Sequence, residues 1–140
     1  GYTGVSYTYG VIFGTSKSAV DRMSRDMAIE LEPYNIASIC LWQGLTLTEK
    51  ARYNLEKMAA KMTTSVTGQA GSTVEHPGRV IAAMAADPNI MDRSGATYIT
   101  AELADEYGVT DVDGRRIDSM REKRGSPLWA PIREVNYHGK

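Results

Sequence analysis

A single cysteine stands in the 140 residues, so no internal disulfide can brace the chain. Cys40 lies in an apolar stretch and reads as an inert buried thiol in a reducing compartment. His76 and His138 lack the companions a metal site requires, and His76, at the start of a helical pattern, reads as a solvated side chain. No apolar run approaches the ~20 residues that span a bilayer. There is no signal-peptide pattern and no initiator methionine, and the opening at Gly1 reads as mid-domain sequence of a cytoplasmic protein. A net charge of −1 gives no electrostatic reason to expect nucleic acid or an anionic membrane. Arg121-Glu122-Lys123-Arg124 is a mixed-sign surface run, too short to change that reading. No segment repeats another.

What is there suits an ordinary soluble domain: 42% hydrophobic and 24% charged residues, in a chain long enough for one core. Residues 1–11, rich in Gly, Tyr, Thr and Ser, read as loop. From Phe13 to Leu31, the spacing of Val20, Met23, Met27 and Leu31 predicts one apolar helix face, with Asp21, Arg22, Arg25, Asp26 and Glu30 on the others. Pro33 ends that helix, and Asn35 suits a left-handed residue after it. Ile36 to Trp42 is nearly continuous apolar sequence, the pattern of a parallel strand covered on both faces. A second helix is expected from Glu49 to Met62, capped by Thr48, with Met58 and Met62 in the core. Thr63 to Thr73 reads as a mobile link. A third helix is expected from Glu75 to Ala86, with Pro77 tolerated in its first turn. Ala96 to Thr100 then reads as a strand, Ala101 to Tyr107 as a short helix carrying the charges of Glu102, Asp105 and Glu106, and the Gly- and Pro-rich remainder as a tail over the surface.

Strands alternating with helices imply parallel pairing through right-handed crossovers. Two strands alone bury too little to stand, so part of the domain is expected to be absent or supplied by another chain.

Three stretches carry the chemistry. Phe13-Gly14-Thr15-Ser16-Lys17 opens the first helix; Gln43-Gly44-Leu45-Thr46-Leu47-Thr48 comes directly after the first strand; and Arg93 to Ala104, continued by Glu106 to Gly114, forms the second strand and the short helix and loop beyond it. In this order they resemble the catalytic half of a short-chain dehydrogenase/reductase, over roughly residues 5–115. That family carries Tyr-x-x-x-Lys at the helix start and Pro-Gly-x-Val-x-Thr after the next strand. The resemblance implies a tyrosine that exchanges a proton while hydride moves between nicotinamide and a carbonyl or alcohol carbon. It implies a lysine one helical turn on that lowers the tyrosine's pKa and holds the nicotinamide ribose. Lys17 matches the lysine; Phe13 stands where the tyrosine is expected and cannot exchange a proton.

Tyr9 is the candidate replacement. If Ile12 to Thr15 were a one-turn insertion, Tyr9-Gly10-Val11 would join Ser16-Lys17 in the family's pattern; Tyr7 is a weaker candidate. Gly44, Leu45, Thr46 and Thr48 match the turn that meets the nicotinamide, with Gln43 in place of proline. The family's substrate-orienting serine would fall before Gly1. So would the Gly-rich phosphate turn and the residue that chooses between NAD and NADP.

The resemblance therefore implies an α/β chain that is the C-terminal part of a Rossmann-like doubly wound parallel sheet. Residues 1–115 form that half-domain and 116–140 a tail, with the dinucleotide-binding half absent. It implies an NAD- or NADP-dependent oxidoreductase acting on a small carbonyl or alcohol, with homo-oligomerisation through the helix 13–31 and no nucleic-acid or membrane partner. This stretch alone is expected to be inactive. Phe13 opens a second reading, a catalytically silent relative serving as a binding or assembly module.

Overall fold

The computed structural model describes residues 1–7, 10–61 and 71–134. Helix α1 runs Val11–Leu31, strand β1 Cys40–Trp42, α2 Glu49–Lys61, α3 Glu75–Ala85, β2 Thr97–Ile99, α4 Thr100–Glu106 and α5 Arg121–Arg124. β1 and β2 pair in parallel, Cys40 opposite Thr97, Leu41 opposite Tyr98 and Trp42 opposite Ile99. The result is an α/β arrangement compatible with part of a Rossmann-like fold. Among the described residues, no helix is long and apolar enough to cross a membrane.

Each strand alternates its side chains between two covered faces, as a parallel sheet must. On one face Cys40, Trp42 and Ile99 pack with Tyr2 and Ala101. On the other, Leu41 and Tyr98 lie against Val80 and Met84 of α3 and Leu103 and Ala104 of α4. The Tyr2 and Trp42 rings meet at 5.0 Å between centroids, tilted by 59°, a favoured aromatic geometry.

Helix α1 turns the opposite way from the expectation. Val20, Met23 and Met27 are 47%, 57% and 50% exposed, whereas Asp21, Arg25 and Ala28 are the buried positions. Those three recur at helical spacing and form one face. The polar face turns inward because its groups find partners there. The Asp21 carboxylate accepts the Trp42 Nε1–H, 3.0 Å from each oxygen, and the Cys40 thiol at 3.0 Å. The Arg25 guanidinium donates to the carbonyls of Gly95, at 3.0 Å, and Ala130, and lies over the Trp129 ring. A buried charge is tolerated when it is paired in this way.

Other boundaries shift modestly. The first strand is shorter than Ile36 to Trp42, since only the last three residues join the ladder and Ile36 is exposed. Asn35 is left-handed, at φ 55°. The tail is pinned rather than draped: Ile132 is buried and its N–H donates to Ser94 O at 2.9 Å, while Thr97 N–H donates to Trp129 O at 3.1 Å. The side chain of Met58, the whole of Met62 and most of the stretch Thr63 to Thr73 lie outside the described residues.

His76 is not solvated. It is 1% exposed, because His76, Val80 and Met84 recur four apart and form the buried face of α3. Neither ring nitrogen has a hydrogen-bond partner among the described residues. Burial holds its imidazole below the ordinary 6.5, against a smaller opposing pull from Asp111. The native ring is therefore neutral where the unfolded one would charge. His76's contribution to stability is fully present above pH 6.5 and is lost as pH falls below it. Urea midpoints measured against pH are expected to fall less steeply below pH 6.5 in a His76→Leu variant; identical slopes would contradict this.

Candidate functional site

Trp42 ends β1, and the chain turns at once through Gln43-Gly44-Leu45-Thr46. Gly44 takes a left-handed φ of 76°, and a Cβ added there would meet nothing within 4 Å. Glycine is the residue that adopts this conformation without strain. Its bare backbone faces open space. The turn is braced from behind by Ser72, whose N–H donates to Leu45 O while its carbonyl accepts Leu47 N–H, both at 2.9 Å. Thr73 beside it is held by the Asp111 carboxylate, its N–H donating at 2.8 Å.

The turn forms one wall of a cleft of about 470 Å³, and the first turns of α1 form the other. Phe13, Lys17 and Val20 line the helix wall, Gly44, Leu45 and Thr46 the loop wall, and Gly1, Tyr2, Thr3, Cys40, Leu41 and Gln43 complete the lining. The Lys17 ammonium lies over the Phe13 ring, 5.2 Å from its centroid. A cation on an aromatic face is attracted by roughly 0.5–1 kcal/mol at exposed sites. Thr46 Oγ1 is buried and has no hydrogen-bond partner among the described residues. The Cys40 thiol, on the cleft floor, is pushed up to about 12 by burial first and then by its bond to the Asp21 carboxylate. It stays protonated and is no nucleophile.

The sequence-predicted residues divide accordingly. Lys17, Phe13, Gly44, Leu45 and Thr46 come together in the one cleft. Thr48 does not line it; its hydroxyl accepts the Ala51 N–H at 3.2 Å and caps α2. Tyr7 is 85% exposed and belongs to a neighbouring groove with Val11 and Ser18, away from Lys17. Tyr9 lies outside the described residues. Sequence reasoning missed Tyr2, Thr3 and Gln43 as cleft residues. The first two sit in a loop-like stretch with no periodicity, and the packing of Tyr2 on Trp42 together with the Ser18 hydroxyl's bond to Gly4 O brings them in.

Whether a nicotinamide cofactor fits is testable on these atoms. An exposed glycine backbone and a lysine ammonium lining one cleft, with the buried Thr46 hydroxyl orphaned beside them, suit a polar ring amide and a ribose. No Gly-rich turn follows an apolar strand among the described residues to take the pyrophosphate. The fit is therefore to one end of the cofactor.

The loop wall has little slack. A Cβ on Gly71 would stand 2.5 Å from Leu45 O and 2.9 Å from Leu45 Cγ. Gly71→Ala is expected to cost about 1–3 kcal/mol, the usual range for overpacking. It should also speed hydrogen exchange at the Leu47 and Ser72 amides. Unchanged unfolding and exchange would contradict this bracing.

No family model matches the chain. The human protein named dehydrogenase/reductase SDR family member 1 is 33% identical to it over 119 residues, and the mouse protein of the same name 31% over 121 residues. Each match covers 81% of this chain and 38% of the relative, so the chain spans less than two fifths of the curated relatives' length. With SDR denoting the short-chain dehydrogenases and reductases, the chain is related by sequence to the short-chain dehydrogenase/reductase family.

Proposed function

We propose that the protein carrying this chain is an NAD(P)-dependent oxidoreductase interconverting a small alcohol and the corresponding carbonyl compound. The observation that carries this reading is the convergence of Lys17 and the Gly44 to Thr46 turn on one cleft. Bound there, NAD or NADP supplies the redox chemistry: a carbonyl, the reduced cofactor and one proton give an alcohol and the oxidised cofactor.

The chain's own residues bind and orient it. Lys17 donates from its ammonium to the ribose hydroxyls. The backbone at Gly44 and Leu45 meets the ring amide, and the Thr46 hydroxyl gains the partner it lacks. Phe13 holds the Lys17 cation by its ring face, but it has no proton to give. The proton falls to Tyr9. The exposed flank of α1, Val20, Met23 and Met27, supports assembly with a second copy through that helix.

NADH and NADPH are offered to the protein with a panel of aldehydes and ketones, and absorbance is followed. Turnover is expected with one of them. Tyr9→Phe should lower it by about 10²–10⁴-fold, the usual cost of losing a general acid, and Lys17→Met should weaken cofactor binding. Failure to bind or oxidise either cofactor ends the reading. Binding without turnover selects the silent module instead, and unchanged turnover in Tyr9→Phe removes Tyr9.

A further inference from the structure

A second cleft of about 200 Å³ adjoins the Lys17 cleft at the Gln43 to Leu45 turn. Those three residues line both spaces. Its far wall is Ala101, two residues past the end of β2, together with Ile117 and Met120 from the segment crossing above. Parallel strands place their carboxyl ends on one edge of the sheet. The Lys17 cleft, the turn and the second cleft therefore sit side by side along the edge where α/β folds receive ligands.

The wall is built before any ligand arrives. Glu102 accepts from Arg121 Nε at 2.8 Å and Nη2 at 2.6 Å, and from the Ser119 hydroxyl at 2.6 Å. The Met120 N–H donates to the Tyr2 hydroxyl at 3.3 Å. The two arginines at the rim are already neutralised: Arg115 pairs with Asp113, and Arg116 with Asp105 and Asp118. The cleft thus offers no unpaired cation to an anionic group. Beside the paired arginines, Asp118 and Gln43, it offers apolar surface from Leu45, Ala101, Ile117 and Met120. An apolar cavity of about 150 Å³ takes a benzene ring. The space here is of that order.

We infer that the second cleft binds an aryl or short branched alkyl arm of the carbonyl or alcohol substrate whose reacting carbon lies in the Lys17 cleft. This rests on the oxidoreductase reading and narrows its substrate class to compounds with an apolar arm of ring size. The shared turn sorts substrates by that arm, and Ala101 sets the depth of the space.

Benzyl alcohol is titrated into the protein labelled with ¹³C at Ile, Leu and Met methyls. Saturable shifts are expected at Leu45, Ile117 and Met120, and are expected to vanish in Ala101→Leu, which fills the space. Ile117→Trp fills it from a second lining position and decides the matter if Ala101→Leu does not fold. Shifts that fail to saturate, spread over the surface or survive filling overturn the inference. The ratio of kcat/KM for 3-phenylpropanal over propanal is expected to fall about tenfold or more in the filled variant, as loss of a hydrophobic subsite does. An unchanged ratio also overturns it. If the unmodified protein neither binds nor oxidises NADH or NADPH with any of the panel, the oxidoreductase reading fails, while the benzyl alcohol titration still decides the cleft.

Discussion

The Asp21 carboxylate joins the two walls of the site. It sits one turn beyond Lys17 on α1 and takes the indole N–H of Trp42, the last residue of β1 before the Gly44 turn. The thiol of Cys40 points at the same carboxylate. The helix and the strand, tied just ahead of β1 by the Ser38 hydroxyl donating to Ser24 O, are thereby fixed in register. The position of the Lys17 ammonium opposite the loop is set by that register. Removing one partner would leave a buried charge or a buried donor unmatched, which costs more than a typical hydrogen bond contributes.

The same joint explains the inversion of α1. Its apolar residues outnumber those buried, yet the face that turns to the sheet is the one carrying Asp21 and Arg25. Arg25 reaches across to the carbonyls of Gly95 and Ala130 and so ties β2's entry and the tail to the helix. Burying this polar face leaves Val20, Met23 and Met27 in solvent. Apolar side chains in a row on one helix face are what an assembling partner covers.

Much of the architecture could be read from pattern. The helices, the parallel pairing of the two strands and the left-handed Asn35 come from periodicity, β-rich apolar runs and turn chemistry, all local signals. The meeting of Lys17 with the Gly44 turn is implied instead by the family resemblance that the three motifs carry. What could not be read depends on partners distant in sequence. Val20, Met23 and Met27 form a proper apolar stripe, and nothing within α1 says that Trp42 and Gly95 will reward the opposite face. His76 looks like a first-turn surface residue until its spacing from Val80 and Met84 is taken with the burial of those two. Thr48 was expected both as the cap of α2 and in the cofactor turn; it caps α2, and it does not line the cleft, a distinction only geometry draws. Tyr2 gives no sequence signal, since its role comes from the ring of Trp42 forty residues away.

The most direct test is a double-mutant cycle on Asp21→Ala and Trp42→Phe, read by urea unfolding. If the carboxylate–indole contact holds helix to strand, the two changes couple by about 1–3 kcal/mol, as residues in one hydrogen-bond network do. Additivity to within about 0.5 kcal/mol, the behaviour of independent sites, would mean that the joint contributes nothing of its own and that something else places Lys17 across from Gly44.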